Sequence, residues 1–129
     1  MHCYEGDRGH RCFKHIGKFT LDIASWQCMK TGGRLPLPKN ADENESLRSI
    51  GMTASSLRLL DLSGPAQDLT DSYGNRPSFT NWSNAPNLDD TTNYVFMDSD
   101  GKWSAQNLAS KYVDVVCEVI IGKVVQSQV

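Results

Sequence analysis

"TLDIASWQCMKTGGRL", residues 20 to 35, carries the signals of a helix with a defined start, inner face and stop. Thr20 can serve as N-cap, Asp22 favours the first turn, and Gly32-Gly33 end the helix where left-handed backbone is needed. Leu21, Ala24 and Cys28 recur at i, i+3 and i+7, so the cysteine turns inward with the apolar stripe. A core-facing cysteine on an early helix is placed to reach a strand far along the chain.

Working outward, residues 12 to 18 read as a short strand punctuated by Gly17. "LPLPKNADENESLRSIGM" follows as a proline-marked extended piece and a second helix. Asn40 with Glu43 three residues on resembles a capping box, Leu47 and Ile50 form the inner face, and Gly51 ends it. Residues 59 to 93 are short apolar pieces among Gly, Pro, Asn and Asp, long for an unstructured connection and therefore of functional interest. "NYVFM" alternates with period two and "DSDG" turns it back through Lys102 and Trp103. "YVDVVCEVII", residues 112 to 121, is the strongest strand, with Val113, Val115, Cys117, Val119 and Ile121 on one face and Tyr112, Asp114 and Glu118 on the other. Helices gathered early and strands late give an α+β class, read as one domain over residues 1–129.

Composition narrows the function. No apolar run approaches the ~18 residues of a membrane span, and Met1-His2-Cys3 starts without an apolar leader, so any secretory signal is expected to be already removed. A net charge of −2 argues against a general nucleic-acid binder. The charge is uneven: residues 1 to 39 hold seven Lys/Arg against three acids, and residues 61 to 100 hold Arg76 against seven aspartates. Ordinary solvated faces account for this, as does one surface built to meet donor groups on a ligand.

Cys3, Cys12, Cys28 and Cys117 permit three pairings. No C-x-x-C occurs, and His2, His10 and His15 offer no paired zinc spacing, so two disulfides in a secreted protein is the favoured reading. The pairing that nests best is Cys3–Cys12 as a hairpin clip and Cys28–Cys117 across nearly the whole chain; Cys3 also leaves open a bridge between chains.

These residues together resemble the C-type lectin-like domain family, over nearly all of the chain. The family's helix pattern is met by Leu21, Ala24 and Cys28, its Gly-x-Leu by Gly33-Arg34-Leu35, and its Glu-Asn pair by Glu43-Asn44. "FTNW" at 79–82, Pro86-Asn87, Val95-Phe96-Met97, Gly101-Lys102-Trp103 and the closing Cys117-Glu118 follow in family order. The resemblance implies the C-type lectin-like fold, with two helices, antiparallel sheets and a long loop region. It also implies the long form, whose N-terminal hairpin the Cys3–Cys12 pair resembles.

Departures from the family pattern bear on function. Sugar-binding members hold a calcium ion through a Glu-Pro-Asn or Gln-Pro-Asp triplet, a second Glu and a Trp-Asn-Asp. Here those positions read Ala85-Pro86-Asn87, Thr92 and Trp103-Ser104-Ala105, which leaves Asn87 alone among the implied ligands. Calcium needs six to eight oxygens, carboxylates among them. An EF-hand frame on "DSDG" puts Phe96 and Asn107 where carboxylates belong. The family's inner disulfide would join Tyr94 and Leu108, so both cysteines are absent together, and its "WIGL" motif is reduced to Leu59-Leu60-Asp61-Leu62. The resemblance is therefore to a divergent, calcium-independent member such as the bivalve lectins that bind N-acetylated sugars.

No metal or cofactor is expected. The candidate sugar contacts are Asn87, Asp89, Asp90 and Asn93, with Tyr94 as an apolar wall, reading a GlcNAc- or GalNAc-type glycan through its acetamido group. One such site is weak, so a dimer or larger assembly is expected, in a secreted protein of innate defence. The other reading is a non-sugar domain that binds a protein partner by the long loop or by Arg8, Arg11, Lys14 and Lys18. Trp82 and Trp103 are expected in the core. No G-x-S-x-G, H-E-x-x-H or P-loop occurs, so the chain is read as no enzyme. Of two sequons, Asn44-Glu45-Ser46 lies on the second helix where exposure is allowed, while Asn81-Trp82-Ser83 sits beside a core tryptophan.

Overall fold

The computed structural model describes residues 2–6, 9–50, 57–86, 93–107 and 112–121. Strands β1 (His2–Gly6) and β2 (Gly9–Thr20) lead into helices α1 (Leu21–Lys30) and α2 (Ala41–Ser49). Then come β3 (Arg58–Gly64), β4 (Asn93–Met97), β5 (Trp103–Gln106) and β6 (Tyr112–Ile121). They form one six-stranded sheet in the order β1-β2-β6-β3-β4-β5. All neighbours are antiparallel except β3 and β6, which run parallel through Arg58 and Asp114. The expected α+β fold with two helices and largely antiparallel pairing is present; the strands form one sheet, because the last strand returns to the centre, between the N-terminal strand and β3.

Helix α1 buries Leu21, Ala24 and Cys28, as its spacing requires. Cys28 is joined to Cys117 on β6, with the Cα atoms 5.2 Å apart. Thr20 precedes the helix with extended backbone, but its hydroxyl bonds the Asp22 carboxylate and makes no side-chain cap. Gly32 ends the helix at φ 81°. Gly33 lets the chain lie against β6: a Cβ there would meet the Glu118 carbonyl oxygen at 2.5 Å. Arg34 and Glu118 can therefore exchange both backbone hydrogen bonds, at 3.0 and 2.7 Å.

Helix α2 starts as its residues dictate. The Asn40 side chain accepts from the Glu43 N–H at 2.8 Å, and the Glu43 carboxylate reaches back to the Lys39 N–H at 3.1 Å. Leu47 is buried, whereas Ile50 caps the helix half-buried; Gly51 lies outside the described residues. Residues 59–64, expected within the loop region, belong to β3, because Leu59, Leu60 and Leu62 are all buried.

Both faces of the sheet are covered, giving two apolar clusters. One gathers Phe13, Leu47, Leu60, Met97, Trp103 and Val116, the other Leu21, Cys28, Leu59, Phe96 and Val115. Asp114 and Glu118, on the face of β6 opposite Val113 and Val115, are buried as well. Each is held by an arginine. Arg58 Nε donates to Asp114 at 2.8 Å, and Arg58 also donates to the carbonyls of Leu47 and Ile50 at the end of α2. Burial pushes Arg58 below the usual arginine value, and the bond to Asp114 opposes that. Arg11 bridges Glu43 and Glu118, both at 2.8 Å; burial would lower it, but the two carboxylates outweigh this and raise it. Arg34 adds Asp61 at 3.1 Å. Part of the basic charge of the first forty residues is thus spent inside the fold, tying β2, α2, β6 and β3 together.

Register sets Cys3 opposite Cys12, and Cys12 is disulfide-bonded. The side chain of Cys3 lies outside the described residues.

Candidate functional site

Of the chain between β3 and β4, residues 65–86 are described, and bridges and side-chain bonds tie them back to the sheet. Thr70 returns to bridge Ser63, with hydrogen bonds of 3.0 and 3.1 Å. Asp61, buried on β3, accepts from the backbone and hydroxyl of Ser72 at 3.2 and 2.9 Å, pinning the first lobe of this loop. Asp71 accepts from the N–H groups of Tyr73 and Asn75 to close a turn. The aspartates that gave the loop its charge are thus partly structural.

The second lobe is hung on Trp103. Its ring is fully buried, with Phe79 and Trp82 edge-on to it at 5.8 and 5.9 Å. Its indole N–H donates to Asn44 Oδ1 at 2.7 Å, and Asn44 Nδ2 donates to the Gly101 carbonyl at 3.0 Å. Asn81 Nδ2 reaches the same carbonyl at 2.7 Å. Trp103 is the expected core tryptophan. Trp82 is only half-buried and has a second duty.

Trp82 lines a groove of about 240 Å³ with Pro77, Pro86, Thr80, Gln67 and Arg76, over the buried Leu69. Two prolines and an indole give a rigid apolar wall; the hydroxyl, amide and guanidinium give donors. Arg76 is exposed and bonded to Asp68 at 3.0 Å, so its charge is held at the rim. This mixture of flat apolar surface and a few convergent polar groups is the usual composition of a small-ligand site.

Among the residues named from sequence, Asn87, Asp89 and Asp90 lie outside the described residues, as does Thr92. Pro86, at the edge of the groove, is the residue from which that segment departs. Asn93, where it returns, is buried at 1% exposure, its amide directed at the Gly64 carbonyl at 3.5 Å. It anchors the root of the loop. Tyr94 is half-buried and turns instead to a separate cavity of about 190 Å³ between β3 and α1, lined by Leu21, Leu59 and Leu62. The structure therefore sets Asn93 and Tyr94 apart from the groove. Trp82, Pro77 and Arg76 line the groove but were not among the sugar contacts named from sequence; the "RPSFTNW" run, placing a cation and a proline just before the aromatic, was the available signal.

At the positions that would complete a calcium site, Ser104 accepts from Gln106 at 2.8 Å and Ala105 packs against the core. Among the described residues no three of His, Cys, Asp and Glu converge as a metal set, and no helix is long and apolar enough to cross a membrane.

Solved structures share this architecture. The carbohydrate-recognition domain of the mouse scavenger receptor C-type lectin superposes with a TM-score of 0.74 at 13% identity, over 94% of this chain and 97% of that one. The chain has the C-type lectin-like fold. The cow CD23 C-type carbohydrate-recognition domain, solved in the presence of a GlcNAc2Man3 oligosaccharide, gives a TM-score of 0.73 at 18% identity over 93% and 94% of the two chains. A calcium-independent type II antifreeze protein gives 0.71 at 19% identity over 92% and 91%. In sequence, the domain is 30% identical over 115 residues to bovine (Bos taurus) pulmonary surfactant-associated protein D, which is 85% of this chain and 31% of that protein. The domain thus spans under a third of that relative. No protein-family model matches it.

Proposed function

We propose that this domain binds carbohydrate without a calcium ion, recognising glycans that carry N-acetylated sugars of the GlcNAc or GalNAc type, as a secreted protein of innate defence. The observation that carries the reading is the groove under Trp82, Pro77 and Pro86 on the long loop. A sugar ring packs one apolar face on such a wall while Thr80, Gln67 and Arg76 meet its hydroxyls and acetamido oxygen. Asn87, Asp89 and Asp90, which follow Pro86 in the chain, supply acceptors for the acetamido N–H. Asn93 serves this site as the anchor of the loop.

Independence from calcium is supported by the side chains at the family's ligand positions. Ala85 offers no oxygen, and Ser104 and Ala105 are taken up by the sheet and the core. A calcium-independent protein among the structures of this fold supports the reading.

The test is retention on N-acetylglucosamine- and N-acetylgalactosamine-agarose, run with calcium and with EDTA, followed by elution with the free sugar. Equal retention in both buffers, lost in Trp82→Ala and in Asp89→Ala, is the expected outcome. Retention abolished by EDTA would overturn the metal-free reading. No retention in either buffer would overturn the sugar reading and leave a protein ligand.

A further inference from the structure

Helix α1 buries one side and leaves an unusual outer one. Ile23, Trp26 and Met29 are 39, 55 and 64% exposed, three of the five large apolar residues most open to water among those described. They step by three along the helix, so they form one stripe about 120° wide with Trp26 at its centre. Asp22 and Lys30 are exposed on the same arc. Ile23 and Met29 lie three residues either side of Trp26, and Asp22 and Lys30 lie four either side.

This spacing is self-complementary. If a second copy of α1 lies antiparallel on the first with a two-fold axis through Trp26, Ile23 of each copy meets Met29 of the other. Asp22 of each meets Lys30 of the other, and the two indoles stack at the axis. A parallel arrangement would set Asp22 on Asp22 and Lys30 on Lys30. Within one helix Asp22 and Lys30 are about 12 Å apart along the axis, too far to pair with one another. Lys30 instead lies over the Trp26 ring at 4.5 Å, poised beside the position its partner carboxylate would take. Ser25 and Gln27, which flank the arc at about 100° either side of Trp26, are uncharged.

From this geometry we infer that the outer face of α1 is a homodimer interface, isologous about Trp26, with a second copy of this chain as its occupant. A C2 contact must present one patch that fits itself, and this stripe does so in both shape class and charge. A contact between two ten-residue helices is smaller than the roughly 1,200 Å² of a standard interface, so the dimer is a weak, concentration-dependent one. Joining two domains this way gives two copies of the groove, the arrangement weak sugar sites need for avidity. The inference does not rest on what fills the groove.

Sedimentation velocity on the whole chain, from low-micromolar to millimolar concentration, tests it. The wild type should shift to a dimer as concentration rises. Trp26→Glu should weaken association about tenfold or more, with its far-UV spectrum unchanged because the position is exposed. Asp22→Lys should weaken it several-fold, and the double exchange Asp22→Lys with Lys30→Asp should restore it, since only antiparallel pairing about Trp26 rejoins the exchanged charges. A monomer at every concentration would overturn the interface. So would a dimer indifferent to Trp26→Glu, or a double exchange that fails to recover what Asp22→Lys lost. Retention on the sugar column by the Trp26→Glu variant would be read separately, so loss of the dimer and loss of sugar binding are distinguishable.

Discussion

Trp103 and Asn44 lie 59 residues apart and are joined by a 2.7 Å hydrogen bond in the interior, indole N–H to amide oxygen. Asn44 uses its other end on the Gly101 carbonyl, so one amide fixes both the tryptophan that carries the loop region and the turn that precedes it. Replacing Asn44 with Ala removes both bonds and leaves the buried indole N–H unmet, while the Gly101 carbonyl keeps its bond from Asn81. A loss of about 1–3 kcal/mol in unfolding free energy is expected from denaturant melts. A loss below about 0.5 kcal/mol would mean the indole finds another partner.

The same contact decides the fate of a sequon. Asn44 is 6% exposed, against the exposure its helical position allowed for in sequence, because the Gly101 turn and Trp103 lie against it. Intact-mass analysis of chain secreted from a eukaryotic host should show Asn44 unmodified. A glycan at Asn44 would require the bond to Trp103 to be absent.

How legible this was differs by element. The α1 stripe, the Asn40 cap, the β4–β5 hairpin and the Cys28–Cys117 pair follow from local periodicity and from a single core-facing cysteine. β3 was hidden because its three leucines surround Asp61, which breaks the alternation. Asp61 is inward for a reason no local rule supplies, since Arg34 and Ser72 come from elsewhere to meet it. The burial of Asp114 and Glu118 was hidden for the same cause: the arginines that make it tolerable lie 56 and 107 residues away. The candidate site was legible as a region, while its wall was not, because Trp82 serves core and groove together.

The Arg58–Asp114 pair carries its own expectation. Asp114→Ala would leave a guanidinium at 0% exposure without a counter-charge, a cost of about 3–5 kcal/mol. Converting both residues, Arg58→Met with Asp114→Leu, should cost less than the sum of the single changes. Denaturant melts of the four proteins in that cycle give the answer. Additive losses would show that the pair is not coupled.

Cys28 and Cys117 close 89 residues of sequence separation. The chain-entropy argument gives about 4–5 kcal/mol for a loop of that size. Replacing both with Ala should lower the melting midpoint by an amount that matches a loss of at least ~3 kcal/mol. Calorimetry of the double variant would read it, and a loss under ~1 kcal/mol would mean the unfolded chain is already compact.

Two neighbouring glycines separate backbone freedom from close approach. At Gly32 the backbone is left-handed, φ 81°, with nothing within 4 Å of an added Cβ. Gly32→Ala should therefore cost only about 1 kcal/mol, the price of the conformation alone. At Gly33 a Cβ would meet the Glu118 carbonyl oxygen at 2.5 Å and Val119 Cγ1 at 2.6 Å. The first is backbone on the strand that holds the disulfide, so it cannot swing aside as the end of a flexible side chain would. Relief requires the segment to withdraw from β6, which would break the paired backbone bonds between Arg34 and Glu118 and loosen the contacts of Arg34 and Arg11 with that residue. Gly33→Ala should cost well over ~2 kcal/mol and exceed Gly32→Ala in the same melts. Equal costs for the two would show that conformation, not proximity to Glu118, accounts for the glycine before Arg34.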